Sequence, residues 1–261
     1  MTSGSHRRSS PVRGRFAALA GCVVALIGLV ACSPKRPDVL PPSTATGPPP
    51  VYVAVGASET TGQGSDQPLR DGWPRVLHRT ALPEGAVFIN MGIPGATVAQ
   101  AINEEMNQAL VSKPNLVTVW LNVNDIIHGV SAADFERQLD TLVKTLRGGG
   151  AIRVLVANTP PLDNLPAYKA GRLIPGVDAP TPEQLRQVVD DYNAATARVV
   201  EREGALLVDL HAVLLAAEAA GTEAALISRD GFHPSTAGHA AVAAAFADVL
   251  RASGPLVVPS S

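Results

Sequence analysis

Cysteine is nearly absent from this chain: its 261 residues contain two, Cys22 and Cys32, and both fall in an apolar stretch near the N-terminus. The rest of the chain therefore has no disulfide framework and no thiolate metal site. Aromatic residues are scarce at 4%, which gives no stacking surface for nucleic-acid bases. Acidic residues are missing before Cys32, where Arg7, Arg8, Arg13 and Arg15 stand alone; the remaining 17 basic residues face 23 acidic ones, a net of −6. A mildly acidic body is poorly suited to phosphate backbones, so no nucleic-acid partner is expected. No internal repeat is apparent. A hydrophobic content of 46% with 17% charged residues is the balance of a globular domain, not of a disordered or fibrous chain.

The first fifth of the sequence does not read as part of the fold. A basic segment containing His6 and those four arginines precedes an apolar run from Phe16 to Ala31, the layout of an export signal. The run ends in Leu29-Val30-Ala31-Cys32, which resembles the bacterial lipoprotein signal. That resemblance implies diacylation of Cys32, cleavage before it, N-acylation of the new terminus, and a protein held extracytoplasmically on the cell membrane. Leu19-Ala20-Gly21-Cys22 fits the local spelling as well, but cleavage there would leave only six apolar residues after Arg15. Cys32 is therefore preferred over Cys22. An uncleaved span is the other reading, and the run is short of the ~20 residues a bilayer helix needs. Residues 32–50, rich in Pro, Ser and Thr, read as a tether between anchor and domain.

From residue 51 short apolar runs alternate with amphipathic ones. Expected strands are Val51–Gly56, Ala86–Asn90, Leu116–Leu121, Ile152–Ala157 and Ala205–Leu210, each nearly continuous in apolar residues, as in strands covered on both faces. The class is α/β: a three-layer α/β/α sandwich on a five-stranded parallel sheet, spanning 51–252, with 253–261 as a tail. Ser131 with Asp134 reads as a capping box, before a helix with Phe135, Leu139, Leu142, Val143 and Leu146 on one face, closed by the Gly148–Gly150 turn. Thr181-Pro182-Glu183-Gln184 caps a second helix, and a last one starts near Pro234.

Ligands of such sheets bind beyond the carboxyl ends of the strands. Four polar blocks stand in such places: Gly56-Ala57-Ser58-Glu59-Thr60, Asn90-Met91-Gly92-Ile93-Pro94-Gly95-Ala96-Thr97, Asn122-Val123-Asn124-Asp125, and Asp230-Gly231-Phe232-His233-Pro234. A serine hydroxyl needs a base within hydrogen-bond reach, and His233 is the candidate. Asp230, three residues earlier on a turn, can orient its imidazole. In order and placement the blocks resemble those of the SGNH (GDSL-like) hydrolases, whose fold is flavodoxin-like. The resemblance implies a serine esterase acting through Ser58, His233 and Asp230, with Ser58 N–H, Gly95 N–H and the Asn124 amide as oxyanion donors. It implies an ester substrate, no cofactor and no metal, and a monomer is expected. Two departures stand out: Gly-Ala-Ser-Glu replaces the usual Gly-Asp-Ser, and Asn122 takes the place of a glycine, where its tolerance of left-handed angles would preserve the turn.

Read alone, Ser58 is a helix N-cap and Asn124 an ordinary polar residue; the set of four blocks reverses that reading. Asp125 and Asp209 are expected to hold backbone amides at helix starts, His128 and His239 to be surface or packing residues, and Trp73 and Trp120 core or pocket wall. The loop from Thr159 to Pro180 is expected to shape the pocket. A general ester or lipid acylhydrolase ranks above a carbohydrate acetyl esterase of the envelope. Two other classes compete: a flavin binder using Ser58-Glu59-Thr60-Thr61-Gly62, which leaves Asp230 and His233 idle, and a non-catalytic lipoprotein on the same scaffold.

Overall fold

The computed structural model describes residues 48–174, 176 and 179–256. The segment expected to be an export signal, Cys22, Cys32 and most of the expected tether lie outside the described residues, as does the end of the expected tail.

Five strands form one parallel sheet: β1 (Val51–Gly56), β2 (Val87–Asn90), β3 (Leu116–Trp120), β4 (Arg153–Ala157) and β5 (Leu206–Val208), in the order β2-β1-β3-β4-β5. This is the expected three-layer α/β/α sandwich. β5 is shorter than its apolar run, because Asp209 leaves the ladder to cap the helix Leu210–Ala219 through Ala212 N–H. Period-2 alternation divides the strand side chains between two cores. Val53, Val55, Val117, Val119, Val154 and Val156 face one layer, and Tyr52, Ala54, Leu116, Trp120, Leu155 and Ala157 face the other. Covered on both faces, the central strands have no polar side to show, which is why their sequences read as continuous apolar runs.

The first layer contains the helices Ala132–Arg147 and Pro182–Glu203, joined by Phe135 stacked on Tyr192 at 4.3 Å between ring centroids. The second contains Trp73–Ala81 and Thr236–Ala252, joined by Trp73 stacked on Phe246 at 4.3 Å. Thr181 and Gln184 make the full reciprocal capping box. Ser131 caps Asp134 N–H, but the Asp134 carboxylate takes the Ser131 hydroxyl at 2.6 Å instead of a backbone amide, so the second half of the expected box is missing. The last helix starts at Thr236, with Ser235 as its cap, two residues beyond Pro234.

β1 is followed in space by β2 on one side and β3 on the other, so the chain reverses its direction of travel across the sheet between β1 and β3. The gap that opens above such a switch point is where a doubly wound sheet binds ligands. Register pairs Gly56 with Trp120 there, which brings the segments that follow β1 and β3, the first and third blocks, to adjacent positions.

Candidate active site

Ser58 opens the four-residue helix Ser58–Thr61 directly after β1, and it is buried at 6% exposure. Ala57 occupies the cap position, with no side-chain cap bond. Ser58 is therefore not an N-cap, and its hydroxyl is left to do something else. At the first position of a helix the N–H has no intrahelical partner either.

The hydroxyl meets the loop before the last helix. Ser58 Oγ lies 2.9 Å from His233 Nε2, and His233 Nδ1 lies 2.6 Å from Asp230 Oδ2. The other oxygen, Asp230 Oδ1, accepts from Ser228 Oγ, Phe232 N–H and His233 N–H at 2.8, 2.8 and 2.9 Å. Burial pushes the Asp230 carboxyl up, but the hydrogen bonds from His233, Phe232 and Ser228 outweigh it and hold the group at about 2. A carboxylate ionised at neutral pH only accepts, so His233 Nδ1 must carry the proton. In the neutral ring this leaves Nε2 as a lone pair directed at the serine hydroxyl.

Residues outside the four blocks align the two halves. Gly64, in the loop after Ser58, packs so closely on the His233 loop that a Cβ there would come within 2.7 Å of His233 Cβ. Gln63 O accepts from His239 Nε2 at 2.9 Å, and Trp73 N–H donates to His239 Nδ1 at 3.2 Å. Burial pushes the His239 pKa down, in keeping with a neutral ring that donates at one nitrogen and accepts at the other. Asp66 and Thr236 close the staple, with Asp66 N–H on Thr236 Oγ1 and the Thr236 hydroxyl on Asp66 Oδ2, both 2.9 Å. His239 is thus a packing residue, as expected, and one that ties the serine loop to the histidine helix. His128 is exposed.

The second and third blocks meet each other beside this pair. Gly95 has φ +82°, a conformation that L side chains rarely adopt, so glycine is required there for its backbone. Asn124 Nδ2 donates to Ala96 O at 3.0 Å, which seats the side chain against the Gly95 turn; an amide carries two N–H donors, so one remains for a ligand. Asp125 is fully buried, and both its oxygens lie 3.2 Å from Val98 N, the start of the helix Val98–Glu104. Asn122 has φ −173°, extended backbone open to any residue, so the left-handed tolerance expected of it is not used. Its side chain is buried instead, with Nδ2 3.4 Å from Ala157 O.

Two further carboxyls, to which no motif gives a role, belong to the site. Glu105 is fully buried and accepts Gly56 N–H at Oε2, 2.8 Å, just beneath the serine turn; its other oxygen has no hydrogen-bond partner. Burial, only partly offset by that bond, pushes it up to about 8. Glu59 is buried beside Ser58, with Oε2 3.4 Å from the serine hydroxyl. The expected pocket-shaping role of the loop after β4 holds for Pro160, Leu162 and Leu165, which line an apolar cavity that Glu59 also reaches. Trp120 is a wall of this cavity, and Trp73 is core.

A doubly wound α/β sandwich with a serine, histidine and aspartate in hydrogen-bond series at its switch point belongs to the class of α/β ester hydrolases. The chain is a member of the GDSL-like lipase/acylhydrolase family, whose model matches residues 54–241. It is 27% identical over 198 residues to an acetylxylan esterase of Geobacillus stearothermophilus, covering 73% of this chain and 86% of that protein. Among solved structures, the lipase/acylhydrolase of Enterococcus faecalis superposes with a TM-score of 0.61 at 20% identity, over 80% of this chain and all of that one. LAE5, an α/β hydrolase enzyme from the Lake Arreo metagenome, gives 0.59 at 25% identity, over 81% and 98% of the two chains.

Proposed function

We propose that the protein is a serine esterase that cleaves carboxylic esters through an acyl-enzyme, with Ser58 as nucleophile, His233 as general base and acid, and Asp230 as its orienting counter-ion. The observation that carries this is the unbroken series from Ser58 Oγ through His233 to Asp230, at 2.9 and 2.6 Å.

In this reaction Ser58 Oγ attacks the ester carbonyl carbon while His233 Nε2 takes its proton, and Asp230 stabilises the imidazolium that results. The oxyanion is met by Ser58 N–H, Gly95 N–H and the remaining Asn124 amide hydrogen, donors of a kind each worth roughly 3 kcal/mol of barrier. Collapse expels the alcohol, which leaves with the proton held by His233. Water then attacks the acyl-enzyme, with His233 again as base, and releases the acid. Ser58→Ala should lower kcat for p-nitrophenyl acetate or butyrate by about 10⁴-fold or more while the fold is retained. Unchanged turnover in that variant would reject the mechanism.

A second substrate reading, an acetyl esterase acting on glycans, is favoured by the acetylxylan esterase among the relatives. Assay across acyl chain lengths and acetylated glycans separates it from a general ester hydrolase.

The enzyme is further proposed to work outside the cytoplasm, anchored through acylated Cys32, on the support of the basic segment, the apolar run and Leu29-Val30-Ala31-Cys32. Cys32→Ala should release the protein from membranes or block its processing. Normal lipid labelling of that variant would move the anchor to Cys22.

A further inference from the structure

The apolar cavity beside the site contains one ionisable side chain among the described residues that line it, and that side chain is Glu59. The other walls are hydrocarbon, among them Trp120, Leu162, Leu165, Leu214 and Phe232. Ser58 and His233 do not line the cavity themselves; Glu59 is the lining residue that hydrogen-bonds the reacting hydroxyl among the described residues, with Oε2 3.4 Å from Ser58 Oγ. Beyond this contact the carboxyl is met by its own backbone N–H. The carboxyl therefore touches the hydroxyl that would carry an acyl group and also faces the apolar space beside it.

We infer that Glu59 sets the acyl-chain length of the enzyme, keeping it to short acyl groups of the acetyl class by making entry of a longer tail into the apolar cavity unfavourable. The inference rests on Ser58 being the nucleophile. A two-carbon acyl group on Ser58 has no tail to place in the cavity and leaves the Glu59 carboxyl its contact with the serine oxygen. A longer tail that enters the cavity packs hydrocarbon around the carboxyl, leaving a buried polar group with little beyond its own backbone N–H to meet it. Burial already pushes the Glu59 carboxyl above the usual range, so its surroundings are poor in polar partners before any tail enters. An aliphatic side chain at 59 has no such requirement and would add to the apolar wall.

The test compares kcat/KM for p-nitrophenyl acetate and p-nitrophenyl octanoate in the wild type and in Glu59→Leu, Glu59→Ala, Glu59→Gln and Ser58→Ala. The wild type is expected to favour acetate. Glu59→Leu and Glu59→Ala should each raise the octanoate-to-acetate ratio about tenfold, ~1.4 kcal/mol, whereas Glu59→Gln, which keeps a polar group of the same size, should hold the ratio within about threefold of wild type. Two aliphatic variants are included so that a folding defect in one, read from its melting curve, leaves the other to decide. A wild type that prefers octanoate, or an unchanged ratio in a folded aliphatic variant, overturns the inference. Loss of both activities in Ser58→Ala keeps the nucleophile reading intact even then; survival of activity in that variant would instead remove the premise.

Discussion

The carboxyl groups around the site fall into two regions that the fold treats in opposite ways. Asp230, in the loop before the last helix, has a side chain 41% exposed, yet four hydrogen bonds converge on it and hold it ionised at about 2. Glu105, beneath the serine turn, and Asp125, at the end of the Asn124 block, are completely buried; Glu105 meets one backbone N–H and Asp125 meets that of Val98 and its own, and they are pushed up to about 8 and about 6. Donor count decides the difference. Four donors offset the partial loss of water for Asp230, while one or two backbone amides do not offset the full loss for the other two. A permanent negative charge thus stands where an imidazolium must be stabilised, and Glu105, protonated at neutral pH, stands where the chain needs only to be pinned.

The largest expected effect comes from erasing the first half of that contrast. Asp230→Asn preserves shape but removes the acceptor that obliges His233 to carry its proton on Nδ1, and the ring can then present N–H instead of a lone pair to Ser58. A loss in kcat of about 10³–10⁴-fold is expected, measured with p-nitrophenyl acetate at neutral pH. A variant within tenfold of wild type would mean that the loop backbone alone orients the imidazole.

The two regions also differ in how visible they are in the sequence. Ser58, Gly95, Asn124, Asp230 and His233 stand in short polar blocks at the ends of apolar runs, a pattern that local reading can find, and the sheet supplies the rest by collecting strand ends at one edge. Glu105 follows Glu104 and looks like one of two solvated charges. Which of the pair is buried depends on helix phase: Val98, Ala101, Glu105 and Ala109 recur at three- and four-residue spacing and are all buried, so the periodicity did carry a signal. His239 sits in an alanine-rich helix whose face is poorly marked, and its two partners, Gln63 O and Trp73 N–H, lie 176 and 166 residues away. The end of β5 differs from its apolar run for a related reason: Leu206 to Leu210 is apolar apart from Asp209, and nothing local says that this aspartate caps a helix and ends a strand at once.

The smaller expected effect tests the neutral half. Glu105 ordinarily titrates near 4.5 and is held at about 8 in the fold, so between these values the folded protein binds a proton that the unfolded chain has released. Stability therefore falls as pH rises through that window, by at most about 5 kcal/mol once the folded group has ionised. Asp125 adds a decline of the same sign between its usual 3.8 and about 6, and Asp230 acts oppositely, contributing stability above 3.8 that is lost as pH falls towards 2. Glu105→Gln keeps an oxygen for Gly56 N–H and cannot ionise, so subtracting wild type from variant cancels Asp125 and Asp230 and isolates one group. The stability difference from urea unfolding is expected to be small at pH 5 and to grow by a few kcal/mol in favour of glutamine by pH 8. A difference that stays constant across that range would show that Glu105 is ionised inside the fold, and the contrast with Asp230 would then be one of burial without a difference in charge.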